Sequence, residues 1–253
     1  MKRPSPNEIK TYTEMMASPE VKCSGSKMSL HSDLRVRTIS GGTPLQVRKI
    51  RIGSWNLGSL TGKSLELVDA LKRRRVQIAC IQETRWKGQR AKELGDGYKL
   101  WYVGSSNTRN GVGIIADSEM KDNVVEVVRT SDRMMSVKFV IDKEVLNVVC
   151  VYAPQTGLGE NERRAFYDQL GDILSDIPAE EKVIIGGDFN AHVGQAKTGY
   201  ETIHGGLGFG TRNEAGDDML ELATALDMAI VNTFFKKRET QLITYKSGQH
   251  QPK

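Results

Sequence analysis

Several short apolar runs in this sequence each close on a polar residue. KIRIGSWN ends at Asn56, VQIACIQE at Glu83, and EVLNVVCVY at Tyr152. KVIIGGDFN passes two glycines to reach Asp188 and Asn190. Runs of this length, rich in Val and Ile, predict strands; in KIRIGSWN, Ile50 and Ile52 alternate with Arg51 and Gly53 as a strand requires. An Asn or Asp at a single strand end is ordinarily a turn former. Its recurrence predicts more, because strand ends along one rim of a sheet bring together side chains far apart in sequence. Asn213, which opens the stretch after GTR, joins this set.

The rest of the chain supplies the layers around those strands. SLELVDALKRRR places Leu65, Val68 and Leu71 on one helical face. NERRAFYDQLGDIL does the same with Phe166, Leu170 and Ile173, with Asn161 expected as its cap. NEAGDDMLELATAL turns Met219, Leu222, Ala223 and Leu226 inward, while YKLWYVG, GVGIIAD, VVEVVRT, MMSVKFVI and MAIVNT read as further strands. Consecutive hairpin-like strands with few helices between them predict an α+β layered domain over residues 47–253. Residues 1–46, rich in Ser, Pro, Lys and Thr and without a sustained period, predict a mostly disordered basic leader. Such a leader suits nuclear import or phosphate contact, or is a gene-model extension.

Charge and cysteine usage narrow the function classes. The net charge is +5, yet residues 1–49 hold nine Lys/Arg against four Asp/Glu while the remaining 204 hold 27 of each. Net charge therefore does not mark a nucleic-acid face; only local clusters could, and ordinary solvated surface is the other reading of each. Those clusters are Lys72–Arg75, Arg85–Lys92 and Lys236–Arg238. No apolar run reaches the roughly 20 residues a membrane helix needs, and the N-terminus lacks the apolar centre of a secretory signal. Cys23, Cys80 and Cys150 form no CxxC pair, and the last two sit in apolar runs as core thiols do. These features predict an intracellular protein, nuclear or cytoplasmic, not secreted and without a membrane partner.

The residue types at the strand ends suit one chemistry. A carboxylate such as Glu83 holds Mg²⁺ while water and substrate phosphate complete the shell. Neutral Asn groups grip phosphate oxygens. An Asp beside an Asn orients a water for attack on phosphorus, and the metal neutralises developing charge. On this reading Gly186 and Gly187 let backbone and phosphate approach closely, with Asp188 and Asn190 facing the scissile bond.

The motifs SWN (54–56), IQET (81–84), GVGI (111–114), VYAP (151–154), GDFNAHVG (187–194) and RNEAGDDMLELA (212–223) resemble, in that order, those of the endonuclease/exonuclease/phosphatase superfamily. The likeness covers residues 48–247. It is nearest to the endonuclease domains of non-LTR retrotransposon polyproteins and to craniofacial development protein 2-like proteins. The resemblance implies a DNase I-like, four-layered α/β sandwich and a Mg²⁺-dependent endonuclease acting on DNA, with Mn²⁺ as an alternative metal. It implies Glu83 as the main metal ligand with Asn56 on the metal side. Tyr152 resembles the tyrosine that contacts phosphate or leaving group, Asp188 the aspartate that aligns the nucleophile, and Asn190 the amide that holds the phosphate. Asn213 resembles a further phosphate- or site-ordering asparagine. Arg85 and Lys87, in the first of the two basic clusters expected to straddle the duplex backbone, are the expected substrate contacts, with Lys236–Lys246 as the second cluster.

One family motif is not found. The pattern continues with another strand and a Ser-Asp-His, whereas His31, His192, His204 and His250 follow Leu, Ala, Ile and Gln. The expectation is a C-terminally truncated domain with its last strands missing and a sheet edge left unpaired. His192, close to Asp188 in sequence, is either a surface loop residue or a substitute at the site. Three readings stand at this point: a DNA-cleaving phosphodiesterase; a relic that binds metal or nucleic acid without turnover; and a phosphatase of a small phosphorylated substrate. No protein partner is legible.

Overall fold

Strands that are apolar at every position have both faces buried, and the fold shows which two cores they serve. The computed structural model describes residues 14–17, 22–24, 31–37, 47–155 and 159–236. In chain order the strands are β1 (Glu14–Ala17), β2 (Lys22–Ser24), β3 (His31–Arg37), β4 (Val47–Asn56), β5 (Ile78–Gln82), β6 (Gly88–Gly95) and β7 (Tyr98–Gly104). They continue as β8 (Val112–Ala116), β9 (Val124–Ser131), β10 (Met134–Ile141), β11 (Glu144–Tyr152), β12 (Lys182–Asp188) and β13 (Ala229–Ile230). Helices α1 (Ser64–Arg74), α2 (Glu160–Ser175) and α3 (Glu214–Ala225) complete the set. One sheet has the order β13-β1-β12-β11-β10-β9, the other β2-β3-β4-β5-β8-β7-β6.

The two sheets pack face to face. Along β5, Ile78 and Cys80 point into the core between the sheets, while Ala79 and Ile81 point outward beneath Leu67, Val68 and Leu71 of α1. Along β11, Val148 and Cys150 point inward, while Val149 and Val151 meet α2 and α3 through Phe166, Leu170, Met219 and Leu220. Side chains alternate across a strand, so β5 and β11 each feed two cores. The layers run helix, sheet, sheet, helices: the four-layered α/β sandwich. Leu71 is fully buried, and truncating it to Ala costs about 2–5 kcal/mol.

The paired glycines before Asp188 have a structural cause that differs from the expected one. A Cβ at Gly186 would lie 2.9 Å from Cys80 Sγ of the opposite sheet, and one at Gly187 would lie 2.3 Å from Val151 Cγ2 of the neighbouring strand. Gly186 lets the two sheets close on each other, and Gly187 lets β12 lie against β11.

Three further expectations are corrected. Helix α2 starts at Glu160 with Gly159 at its cap position, so Asn161 lies in the first turn. Glu160 and Glu162 suit that turn because they face the positive end of the helix dipole. The apolar MAIVNT run gives only the two-residue β13 before a 3₁₀ turn over Val231–Thr233. The leader contains three paired strands: β1 lies between β12 and β13, β3 joins β4, and β2 joins β3. Met15 and Met16 are buried, one in each core, so the flank of β12 is covered by the chain's own N-terminal segment. The remainder of residues 1–46, together with Arg238, Lys246 and His250, lies outside the described residues.

Candidate active site

Register carries the polar strand ends to one rim. Parallel pairing of β4 with β5 sets Asn56 opposite Gln82, one residue before Glu83. Parallel pairing of β11 with β12 sets Tyr152 opposite Asp188. Asn56 then joins the two sheets: its Nδ2 donates to Glu83 Oε1 at 2.9 Å and to Asp188 Oδ2 at 2.8 Å. Tyr152 Oη donates to the same Glu83 Oε1 at 3.1 Å, and Arg85 Nη2 donates to Oε2 at 2.9 Å. Asp188 Oδ1 accepts from the Asn190 N–H at 3.1 Å. Asn190 Nδ2 donates to the Ala153 carbonyl at 2.9 Å, and the Ala153 N–H donates to the Asp188 carbonyl at 2.8 Å. The VYAP and GDFN motifs are thus lashed end to end.

The Glu83 loop is held in a conformation few residues adopt. Glu83 and Arg85 have φ of 54° and 53°, in the left-handed region, at roughly 1–2 kcal/mol each. Backbone bonds offset that cost: Leu60 N–H to Thr84 O, Thr84 N–H to Gly111 O, and Arg85 N–H to Asn110 O. Gly111 is required there, because a Cβ would fall 2.3 Å from Thr84 Oγ1 and its φ is +91°. The GVGI motif therefore serves the backbone behind Glu83.

The β9–β10 turn, an SDR between two Val-rich strands, was not singled out from the sequence. The Asp132 carbonyl accepts from Gly111 N–H, and its carboxylate accepts from Asn110 Nδ2 at 3.1 Å. Arg133 donates through Nη1 to the Tyr152 and Ala153 carbonyls, and its guanidinium lies 5.3 Å from the Tyr152 ring centroid. One turn thus holds the Glu83 loop in one sheet and the Tyr152 strand end in the other. The only sequence signal was two opposite charges where both neighbouring strands stop.

The two carboxylates differ in charge. Burial raises the Glu83 pKa, but donors from Asn56, Arg85 and Tyr152, with the Arg85 charge, bring it below the ordinary glutamate value. Asp188 is more deeply buried, and burial pushes it up to about 6 against the Asn56 and Asn190 donors, with the Glu83 charge adding to the rise. Tyr152 is pushed up to about 12 by burial and then by the Glu83 charge, so it stays a donor. An ionised carboxylate, a carboxylate poised near neutrality and a protonated phenol lie within one hydrogen-bonded group.

Among the described residues no three His, Cys, Asp or Glu gather in a metal-binding cluster. That excludes a zinc-type cage there but fits Mg²⁺, which takes one or two carboxylates and keeps its other positions for water and phosphate. Glu83 supplies the ionised carboxylate with Asp188 beside it. Asn56, expected on the metal side, is oriented by its bonds in the cluster. Its Oδ1 accepts from Gly58 N–H at 3.0 Å, and it presents nitrogen to both carboxylates. Turned over, it would set oxygen against two carboxylates and lose all three bonds.

The other expected residues sort by contact. Arg85 joins the cluster through Glu83, and Lys87 is exposed just before β6. Asn213 does not bond to the cluster; its Oδ1 caps α3 through Gly216 N–H at 2.9 Å and accepts from His192 N–H at 2.9 Å. It orders the chain just beyond Asn190. His192 is exposed, and His204 is buried with its ring against the Gly194 carbonyl and the Gly206 N–H. Burial lowers the His204 pKa, which suits a neutral ring locking that loop. Lys72–Arg75 lie just before β5, at the opposite end of that strand from Glu83.

A DNase I-like sandwich with this acid–amide–phenol cluster on its rim defines a class by geometry, and comparison with known proteins agrees. The chain belongs to the endonuclease/exonuclease/phosphatase family, which it matches over residues 53–242. It is 32% identical to craniofacial development protein 2 of Bos taurus over 198 residues, which are 78% of this chain and 33% of that protein. The chain thus spans about a third of the curated relative. AP endonuclease LMAP from Leishmania major has a similar fold, with a TM-score of 0.52 at 12% identity, over 70% of this chain and 66% of that one. The endonuclease domain of TRAS1, a telomere-specific non-LTR retrotransposon, aligns with a TM-score of 0.47 at 17% identity, over 70% of each chain.

Proposed function

We propose that this chain is a divalent-metal-dependent phosphodiesterase that nicks DNA, descended from a retrotransposon endonuclease and working inside the cell, in nucleus or cytoplasm. The observation that carries the reading is the split between Glu83 and Asp188: one carboxylate stays charged for a cation, and its neighbour titrates near neutral pH, where a general base is most effective. Glu83 would hold Mg²⁺ or Mn²⁺, with Asp188 adjacent; the bound cation supplies charge neutralisation at the phosphate. Asp188 accepts the proton of the attacking water. Asn56 keeps the Asp188 carboxylate oriented through its N–H, and Tyr152 faces the phosphate as a neutral donor. Asn190, fixed through Ala153, positions its amide beside Asp188.

Support for DNA as substrate comes from the surface next to Glu83. The chain leaves the site through Arg85 and the exposed Lys87 and runs into the edge strand β6, where Arg90 and Lys92 are exposed. Trp86 packs edge-on against Tyr102 at 5.3 Å, with the Lys92 ammonium 4.8 Å from its ring centroid. A cationic strip with an aromatic anchor suits a phosphate backbone. Lys236 is exposed in the second expected cluster.

The test is supercoiled plasmid with Mg²⁺. Nicked circles that vanish with EDTA support the reading; intact plasmid alongside hydrolysis of a phosphoinositide or mononucleotide would move it to a small-substrate phosphatase. No turnover of either, with metal still bound, would leave a non-catalytic binder.

A further inference from the structure

We propose that Arg85 occupies the metal-facing oxygen of Glu83 and is displaced from it when the cation binds, which turns its guanidinium toward the substrate phosphate. The inference rests on the metal-dependent reading above and adds a residue that couples metal to substrate.

Glu83 divides its two oxygens unequally. Oε1 faces inward and accepts from both Asn56 and Tyr152; Oε2 accepts from Arg85. A cation approaching from solvent meets the oxygen that the guanidinium already holds. Two positive groups on one carboxylate oxygen repel at close range, which sets the cation and the guanidinium in competition for it. Glu83 and Asn56 are fixed by the bonds described above, whereas the Arg85 side chain is 39% exposed, on a backbone pinned at Asn110 O.

A second observation points the same way. Arg85 Nε is buried and has no hydrogen-bond partner among the described residues. A guanidinium carries five N–H donors in a planar fork, and a buried donor without a partner is costly. The ion pair with Glu83 therefore satisfies the charge while leaving the donor set incomplete. A phosphate group accepts two parallel N–H bonds from such a fork, which the single bond to Oε2 does not provide. In this exchange the cation takes Glu83 and Arg85 takes phosphate, so metal and phosphate each favour binding of the other, as linkage requires.

The experiment measures Mn²⁺ binding to the full chain by the electron paramagnetic resonance of free Mn²⁺, without substrate and then with inorganic phosphate. Arg85→Met removes the competitor, so it is expected to bind Mn²⁺ about tenfold more tightly than the wild type and to lose the gain in affinity that phosphate gives the wild type. Arg85→Gln is expected to do the same and serves if the Met variant does not fold. Arg109→Met removes an exposed charge one residue from Asn110 and is expected to leave the affinity within about twofold, which separates displacement from a general loss of positive charge. Equal Mn²⁺ affinity in wild type and both Arg85 variants, with binding abolished by Glu83→Gln, would overturn the proposal and leave the metal reading intact. Mn²⁺ binding to none of them would overturn both.

Discussion

Glu83 and Asp188 share one hydrogen-bond donor, the Asn56 amide, yet their pKa values move in opposite directions, Glu83 down and Asp188 up to about 6. Glu83 leaves a sheet through a left-handed turn, its side chain 14% exposed, with three donors around it, one of them a guanidinium. Asp188 is still the last residue of a strand, 3% exposed, with two donors and no cation. The same functional group is held ionised in one place and drawn toward protonation in the other. Depth and donor count decide which, as they do wherever two carboxyl groups divide acid and base work.

The largest expected effect breaks the comparison outright. Glu83→Gln removes the charge that would hold a cation and is expected to lower Mg²⁺-dependent nicking by at least on the order of 10³-fold. Asp188→Asn is expected to cost roughly 10²–10⁴-fold by removing the base. Any residual activity of Asp188→Asn should lose its pH dependence near 6, whereas residual activity of Glu83→Gln should keep one, moved below 6. Plasmid-nicking rates between pH 5 and 8 separate the two.

Stability against pH sharpens the same contrast. The folded pKa of Asp188 lies near 6, above the unfolded value of 3.8, so the native state binds the extra proton between those values. Its contribution is greatest below about pH 4 and is lost as pH rises through 6, an effect of about 3 kcal/mol. Glu83 runs the other way: its contribution is present above the ordinary glutamate value and is lost as pH falls through its depressed one. Urea unfolding midpoints should fall for the wild type between pH 4 and 6 and stay flatter for Asp188→Asn. Removing the shared donor comes next. Asn56→Ala leaves two carboxylates short of a partner and is expected to cost about 1–3 kcal/mol, read as a shift in the same midpoint. Tyr152→Phe is the smallest change, about 1 kcal/mol for one hydrogen bond, with a several-fold loss of nicking. With the phenol near 12, the wild-type rate should show no alkaline fall below about pH 11.

Legibility in the sequence followed depth of burial. The strands feeding two cores were apolar at nearly every position, so β5, β11 and β12 could be read directly, and the residues ending them named the site. Orientation was not legible: nothing in SWN says that Asn56 offers nitrogen rather than oxygen, since that follows from two carboxylates meeting it from different sheets. The glycines of VIIGG looked like room for a ligand because their neighbours, Cys80 at Gly186 and Val151 at Gly187, lie on other segments of the sequence. Strand β1 was not legible because EMMA is short and its partners follow more than 160 residues later. The SDR turn escaped because its contacts, Gly111 and Tyr152, lie on two other segments.

The shared-amide account is tested most directly by following the Asp188 carboxyl carbon through a pH titration by NMR, in wild type, Glu83→Gln and Asn56→Ala. The account predicts a midpoint near 6 in the wild type, a lower one when the Glu83 charge is removed, and a higher one when the Asn56 donor is lost. A midpoint near the ordinary aspartate value in all three proteins would contradict it.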